Sequence, residues 1–341
     1  MTTLDAPLRA PSRPITAPAI TLVIGLVLLA TLAGCGVFVG ASFLSPADVV
    51  ASLRHESAAA TVAVIDGMRI PRTLLGMVVG AALGLAGALM QALTRNPLAD
   101  PGLLGVNAGA GLAVVIGVAA FGATAFVQQI GLALVGALVV SVAVYAIGFS
   151  GRATPATLVL TGTAFSAVCL GITNGLSLVD PADFNVLRGW SSGSLANRDI
   201  ATVGLTAALV LVSAVLAVFV AAPLGQLALG DDLARGLGVN VTGVRIAAAA
   251  AITLLAGVAT AAAGPIVFVG LMVPQLARVV SGPRIGWILA LSAVGGADLT
   301  LLADVVGRLV IWPAEAPAGL ITAIIGTPVL VMIARGRRVT A

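Results

Sequence analysis

The chain has 341 residues, of which 60% are hydrophobic and 9% charged, and its mean hydropathy is +1.16. Soluble domains run at about 45–50% apolar and about 25% charged, so a water-soluble enzyme and a disordered chain are both excluded. All 17 basic residues are arginine. That removes a P-loop ATPase, whose lysine sits beside the phosphates, and a Schiff-base catalyst, which needs an amine.

The formal net charge of +4 is spread over loops, which argues against nucleic-acid binding and makes the side of each arginine the useful question. Cys35 and Cys169 sit in apolar stretches and His55 is the one histidine, so neither a disulfide framework nor a metal site is indicated. Residues 1–14, with Pro7, Pro11 and Pro14, read as a disordered cytoplasmic tail, 336–341 as a second tail, and 15–335 as one membrane domain. Within it, apolar runs fall at about 15–41, 73–93, 104–126, 130–150, 156–179, 200–221, 243–263, 264–281, 285–303 and 317–334. At about 20 residues per crossing these predict an all-α polytopic membrane protein of about ten transmembrane helices. An even number puts both termini on one side. Placing them in the cytoplasm leaves eleven arginines inside and six outside, as the positive-inside rule requires.

The first run contains Leu32-Ala33-Gly34-Cys35, which has the look of a lipoprotein signal. The run continues past the cysteine through Val39, however, and a signal core is only about 7–15 residues, so a first transmembrane helix is expected. In the second run Gly76, Gly80 and Gly84 recur every four residues, followed by Ala88. Small residues at that spacing let helix backbones approach closely in lipid. Mid-span carboxylates mark ion-coupled carriers. Here nearly every acid lies at a boundary or in a loop. Asp298 and Asp304 come nearest to being embedded, and helix-end capping or pairing with Arg308 accounts for them.

The loop 223–245, between the sixth and seventh runs, is predicted on the cytoplasmic side. Gly230-Asp231-Asp232 reads as a helix start with acids in the first turn. Leu229, Leu233 and Leu237 share a face, and Gly238 is a natural stop. Such a helix suits either a partner's groove or the bilayer surface.

Several blocks then stand in a recognisable order: Arg69-Ile-Pro-Arg-Thr73, Asn96-Pro-Leu-Ala-Asp-Pro-Gly-Leu-Leu-Gly105, Trp190 with Gly193-Ser-Leu195, Ala228-Leu-Gly-Asp231 through Val239, Gly264-Pro-Ile-Val-Phe-Val-Gly-Leu-Met-Val-Pro274, and Asp304 through Arg308 with Glu315-Ala-Pro-Ala-Gly319 and Gly326-Thr-Pro328. From about residue 20 to 335 the chain resembles the FecCD permeases. These are membrane subunits of binding-protein-dependent ABC importers for iron–siderophores, heme and vitamin B12. The resemblance implies a permease that is not itself an enzyme, residing in the cytoplasmic membrane of a bacterium. Its partners would be a second permease subunit, identical or similar, two cytoplasmic ATPase subunits that use ATP and Mg, and an extracytoplasmic substrate-binding protein. It binds no cofactor directly.

By the same resemblance Arg69 and Arg308 face the binding protein at the outer mouth, although pairing with Asp304 or Glu315 within the chain is an alternative. Leu229, Gly230, Asp231, Ala234, Arg235, Leu237 and Gly238 belong to a helix that couples to the ATPase. Thr154, Pro155, Thr173, Asn174 and Ser177 belong to the pathway and its gate. The chain departs from the family at Gln275, where a histidine often follows the proline, and at Ser281-Gly282-Pro283-Arg284, which lacks the usual Asp-His. The cargo expected is a ferric siderophore or related iron chelate, with heme or vitamin B12 as alternatives and an ion-coupled carrier as the reading from another class.

Overall fold

In hydrocarbon only a helix or a closed barrel satisfies the backbone, and each apolar run has become a helix. The computed structural model describes residues 16–40, 44–54, 56, 58–123, 126–148, 155–178 and 190–336; the two predicted tails, Gly336 apart, lie outside them. The helices in chain order are α1 (Thr16–Phe38), α2 (Pro46–Leu53), α3 (Ala59–Thr94), α4 (Val106–Phe121), α5 (Phe126–Gly148), α6 (Pro155–Ser177), α7 (Ile200–Leu227), α8 (Asp231–Gly236), α9 (Val241–Ala263), α10 (Val269–Ser281), α11 (Ile285–Val310) and α12 (Ala318–Gly336). There is no strand among the described residues. Seven helices, α1, α3, α5, α6, α7, α9 and α11, are long and apolar enough to cross a membrane, and α4, α10 and α12 are shorter apolar helices. α1 runs without a break through Cys35.

The largest departure from the expected boundaries is in α3, which begins at Ala59 rather than near 73. Asp66, Arg69 and Arg72 end a run of hydropathy, but none of them ends a helix. Its 36 residues span about 54 Å at 1.5 Å each, well beyond a hydrocarbon core of about 30 Å. A π-helical turn at Ile65–Arg69 lies in this projecting part; such turns are frequent at functional sites.

α3 and α9 form the centre, with 78% of each apolar window buried, whereas α1 and α6 are only 11% and 22% buried. The glycine stripe explains how α3 comes so close to α11. Gly76 packs on Leu301, Gly80 on the Gly296 carbonyl, and Gly84 on the Ser292 carbonyl. On another side Gly87 meets Gly270 of α10. Gln91 completes that contact: its Nε2 donates to the Leu271 carbonyl at 2.9 Å and to Gly270 at 3.4 Å. The Gly270 carbonyl is the one that Pro274, lacking an N–H, leaves without its helical donor. Gln275, at the position where the sequence departs from the family, donates to the Pro97 carbonyl at 2.6 Å.

A Cβ on Gly84 would overlap backbone, which cannot rotate aside. Gly84→Val is therefore expected to cost at least about 1–3 kcal/mol, the scale of overpacking. Gly34→Ala, where nothing lies within 4 Å of the added carbon, should cost nothing measurable. Thermal unfolding midpoints in detergent compare the two. Equal midpoints would mean that α3 and α11 part easily.

Candidate functional site

Two charged clusters lie at opposite ends of α3. The first joins α1, α3, α11 and the segment before α12. The last carbonyls of a helix have no partner within it, and the end of α1 is capped by arginines from elsewhere. Arg69 Nη1 donates to the carbonyls of Val37 and Phe38, both at 3.0 Å. Arg308 Nη1 donates to those of Gly36 at 2.7 Å and Val39 at 2.8 Å. Cations at a helix C-terminus also meet the negative end of its dipole.

Arg308 Nη2 also donates to Asp304, one turn earlier on α11. Arg72 grips the same carboxylate from α3, with Nε to Oδ1 at 2.9 Å and Nη2 to Oδ1 at 2.8 Å, and reaches Glu315 through Nη1. Asp304 is 1% exposed and Arg308 2%. Three arginines thus face two carboxylates, leaving a net cationic cluster.

A cavity of about 250 Å³ opens beside it, lined by Arg69, Arg72, Arg308 and Glu315 together with Met68 and Asn197. Next to Asn197, Arg198 donates to the Ala262 carbonyl at 3.1 Å and lies 3.4 Å from the centre of the Phe126 ring. Burial pulls its pKa down to about 10, so it stays charged at pH 7.

Arg69 and Arg308, expected to face a binding protein, are therefore buried and engaged within the chain, Arg308 with Asp304 as the alternative had it. The physical reason is that capping α1 and pairing Asp304 uses their donors internally. Arg72 stands in the same block, but its sequence context alone does not mark it as a member of the cluster. With α3 helical from Ala59, it falls three residues after Arg69 and shares its face.

The second cluster surrounds α8. Gly230, at φ +112, precedes the helix, and Gly238, at φ +83, follows its C-cap Leu237; both conformations suit glycine. Leu229, Leu233 and Leu237 are each 63% exposed. Ala234, expected on the coupling face, is instead fully buried against the body of the protein, because one residue on from Leu233 the helix has turned by about 100°. Arg235 pairs with Asp232 at 3.2 Å on the exposed side.

Asp231 turns inward. Its Oδ1 accepts from Arg95 Nη2 at 2.7 Å and its Oδ2 from Arg245 Nη2 at 2.7 Å. Burial by itself would raise the Asp231 carboxyl. The hydrogen bond from Arg95 and the charges of Arg245, Arg95 and Arg235 outweigh it and hold the group below the usual carboxylate range.

The pathway candidates are divided. On α6, Thr173 is buried and Asn174 exposed, so the two do not share a surface. Pro155 and Ser177 are the first and last residues of α6; their side chains, and the whole of Thr154, lie outside the described residues. Leu160, Val168, Leu170 and Ile172 leave a broad apolar face of this helix uncovered by the rest of the chain.

The family model of the FecCD transport family matches residues 24–336. The chain is 41% identical over 314 residues to the ferric enterobactin transport system permease protein FepD of Escherichia coli (strain K12), covering 91% of this chain and 94% of that one. It is 38% identical over 316 residues to the Fe(3+)-citrate import system permease protein YfmD of Bacillus subtilis (strain 168), covering 93% and 94%. The hemin transport system permease protein HmuU of Yersinia pestis is 38% identical over 266 residues, 76% and 80% of the two chains. Among solved structures, a metal-chelate-type ABC transporter in an inward-facing conformation has the same fold, with a TM-score of 0.82 at 24% identity over 94% of this chain and 99% of that one. Helical content, block order and a match over nearly the full length agree, and the chain belongs to the FecCD transport family.

Proposed function

We propose that this chain is the membrane permease of an ATP-driven importer that carries a ferric siderophore or related iron chelate across the cytoplasmic membrane of a bacterium. The observation that carries this reading is the end-to-end similarity to permeases for ferric enterobactin and ferric citrate. Ten crossings, the seven long helices plus α4, α10 and α12, put both termini in the cytoplasm. The Arg69–Arg72–Arg308 cluster then lies outside and α8 inside.

Two permease subunits enclose the pathway between their α6 helices, whose uncovered apolar faces support that placement. An extracytoplasmic binding protein docks on the cationic mouth, where an acidic side chain entering the cavity competes with Glu315 for Arg72. Exposed ion pairs add little affinity each but steer and orient a partner. Two ATPase subunits receive α8 and supply hydrolysis of ATP with its Mg. The permease itself makes and breaks no covalent bond.

Heme is the second reading, on the strength of the similarity to the hemin permease. The test is uptake into proteoliposomes holding this chain, its ATPase subunits and its binding protein. Radiolabelled iron is supplied in turn as ferric enterobactin, ferric citrate and hemin. Uptake of a ferric chelate that needs both ATP and binding protein is expected. Uptake of hemin alone transfers the reading to heme. Uptake driven by an ion gradient without ATP overturns the importer.

A further inference from the structure

The coupling loop is tied to its neighbours in two different ways. By the peptide chain α8 is joined to α7 through residues 228–230 and to α9 through 237–240. Its tie to α3 is an ion pair between residues 136 positions apart, Arg95 Nη2 to Asp231 Oδ1 at 2.7 Å. The same Arg95 nitrogen donates to the Leu227 carbonyl at the end of α7. Arg95 is the C-cap of α3 and holds a left-handed backbone, φ 52 and ψ 26, which turns its side chain off the helix axis towards the loop. Asp231 is therefore not directed at a partner, as its neighbours Leu229 and Leu233 are; it faces the bundle.

The other end of α3 carries Arg72, which holds Asp304 and Glu315 at the mouth. The two arginines are 23 residues apart on one helix, about 35 Å. Along that length the helix is wedged by backbone-close contacts at Gly80, Gly84 and Gly87, and packing of that density moves as a body rather than deforming.

We propose that the Arg95–Asp231 ion pair fastens the coupling helix to α3, and that α3 acts as a strut relaying the engagement of the charged mouth to the ATPase side. Asp231 and Arg95 are thereby positioning residues. The proposal rests on the importer reading above and adds to it a specific mechanical route.

The test uses the whole complex in nanodiscs, permease with ATPase subunits, and reads the ratio of ATP hydrolysis with binding protein to that without it. The binding protein is loaded with ferric enterobactin, or with ferric citrate if that is the chelate it retains. Arg95→Gln cuts the tie to α3, Arg95→Lys keeps the charge, and Arg245→Gln cuts only the tie to α9, which the chain already joins to α8. Arg95→Gln is expected to retain its ATPase subunits and basal hydrolysis while its stimulation ratio falls at least fivefold. Arg95→Lys should recover at least half of the ratio, and Arg245→Gln should keep at least half.

A normal ratio in Arg95→Gln overturns the strut, and so does an equal fall in Arg245→Gln, which would make the charges mere loop anchors. Wild-type chain that never retains an ATPase sinks the importer reading itself, and the strut with it.

Discussion

Asp304→Asn is expected to destabilise the protein by about 3–5 kcal/mol, the cost of removing one partner from a buried ion pair. The substitution keeps the size and shape of the side chain and takes away one charge. That charge is shared by two guanidiniums, Arg308 at 2% exposure and Arg72 at 12%. The loss propagates, because Arg308 also caps the end of α1. α1 lies at the periphery, with only 11% of its apolar window buried, and its other contacts run along α11 and α3 at Gly25 and Gly36.

Glu315→Gln is the matched control. Its carboxylate touches Arg72 from a side that is 29% exposed, so its removal should cost no more than about 1 kcal/mol. Tryptophan fluorescence melts in detergent, together with limited proteolysis at the end of α1, compare the two. Equal effects would show that the buried carboxylate is not the keystone of the mouth. A stable Asp304→Asn protein that fails to transport would instead place its role in the transport cycle alone.

The sequence disclosed most of the helical order, because crossing a membrane demands long apolar runs and few other patterns satisfy lipid. It was least informative where charge and helix coincide. Hydropathy ends at Thr73, so the projecting fourteen residues of α3 and the face shared by Arg69 and Arg72 were hidden. Spacing identified the Gly76–Gly80–Gly84 stripe as a packing surface but not which helix it meets; that depends on Gly296 and Ser292, far away in the chain.

The mouth arginines were legible as a charged cluster, yet which donors are spent inside the chain depends on where α1 ends. No local signal encodes that. Ala234 shows the same limit on a smaller scale. Its loop was recognisable as a helix with a leucine face, but six residues are too few for periodicity to settle which of the remaining positions turn inward.

Leu233→Asp is expected to abolish retention of the ATPase subunits while leaving the fold intact. Leu229, Leu233 and Leu237 stand four residues apart and each is 63% exposed. Three exposed leucines within nine residues are too large an apolar surface to leave in water. They must be covered by a partner's groove or by the bilayer surface. Burying one leucine is worth about 1.5–3 kcal/mol, and placing a carboxylate in the same pocket adds the cost of an unpaired charge. Each 1.4 kcal/mol is tenfold in affinity, so a loss of at least about a hundredfold follows if a protein covers the face.

The unfolding midpoint should stay where it was, since Leu233 points away from the body of the protein. Ala234→Leu gives the opposite pattern: the added atoms enter a fully buried site, and the midpoint falls before any partner is involved. Co-purification of the ATPase with each variant, set beside its melting curve, separates the two kinds of damage. If Leu233→Asp keeps its ATPase and loses only its binding to vesicles, the leucines lie on the lipid surface. Force would then reach the bundle through Asp232 and Arg235 on the exposed side of α8, and these would be the positions to exchange next.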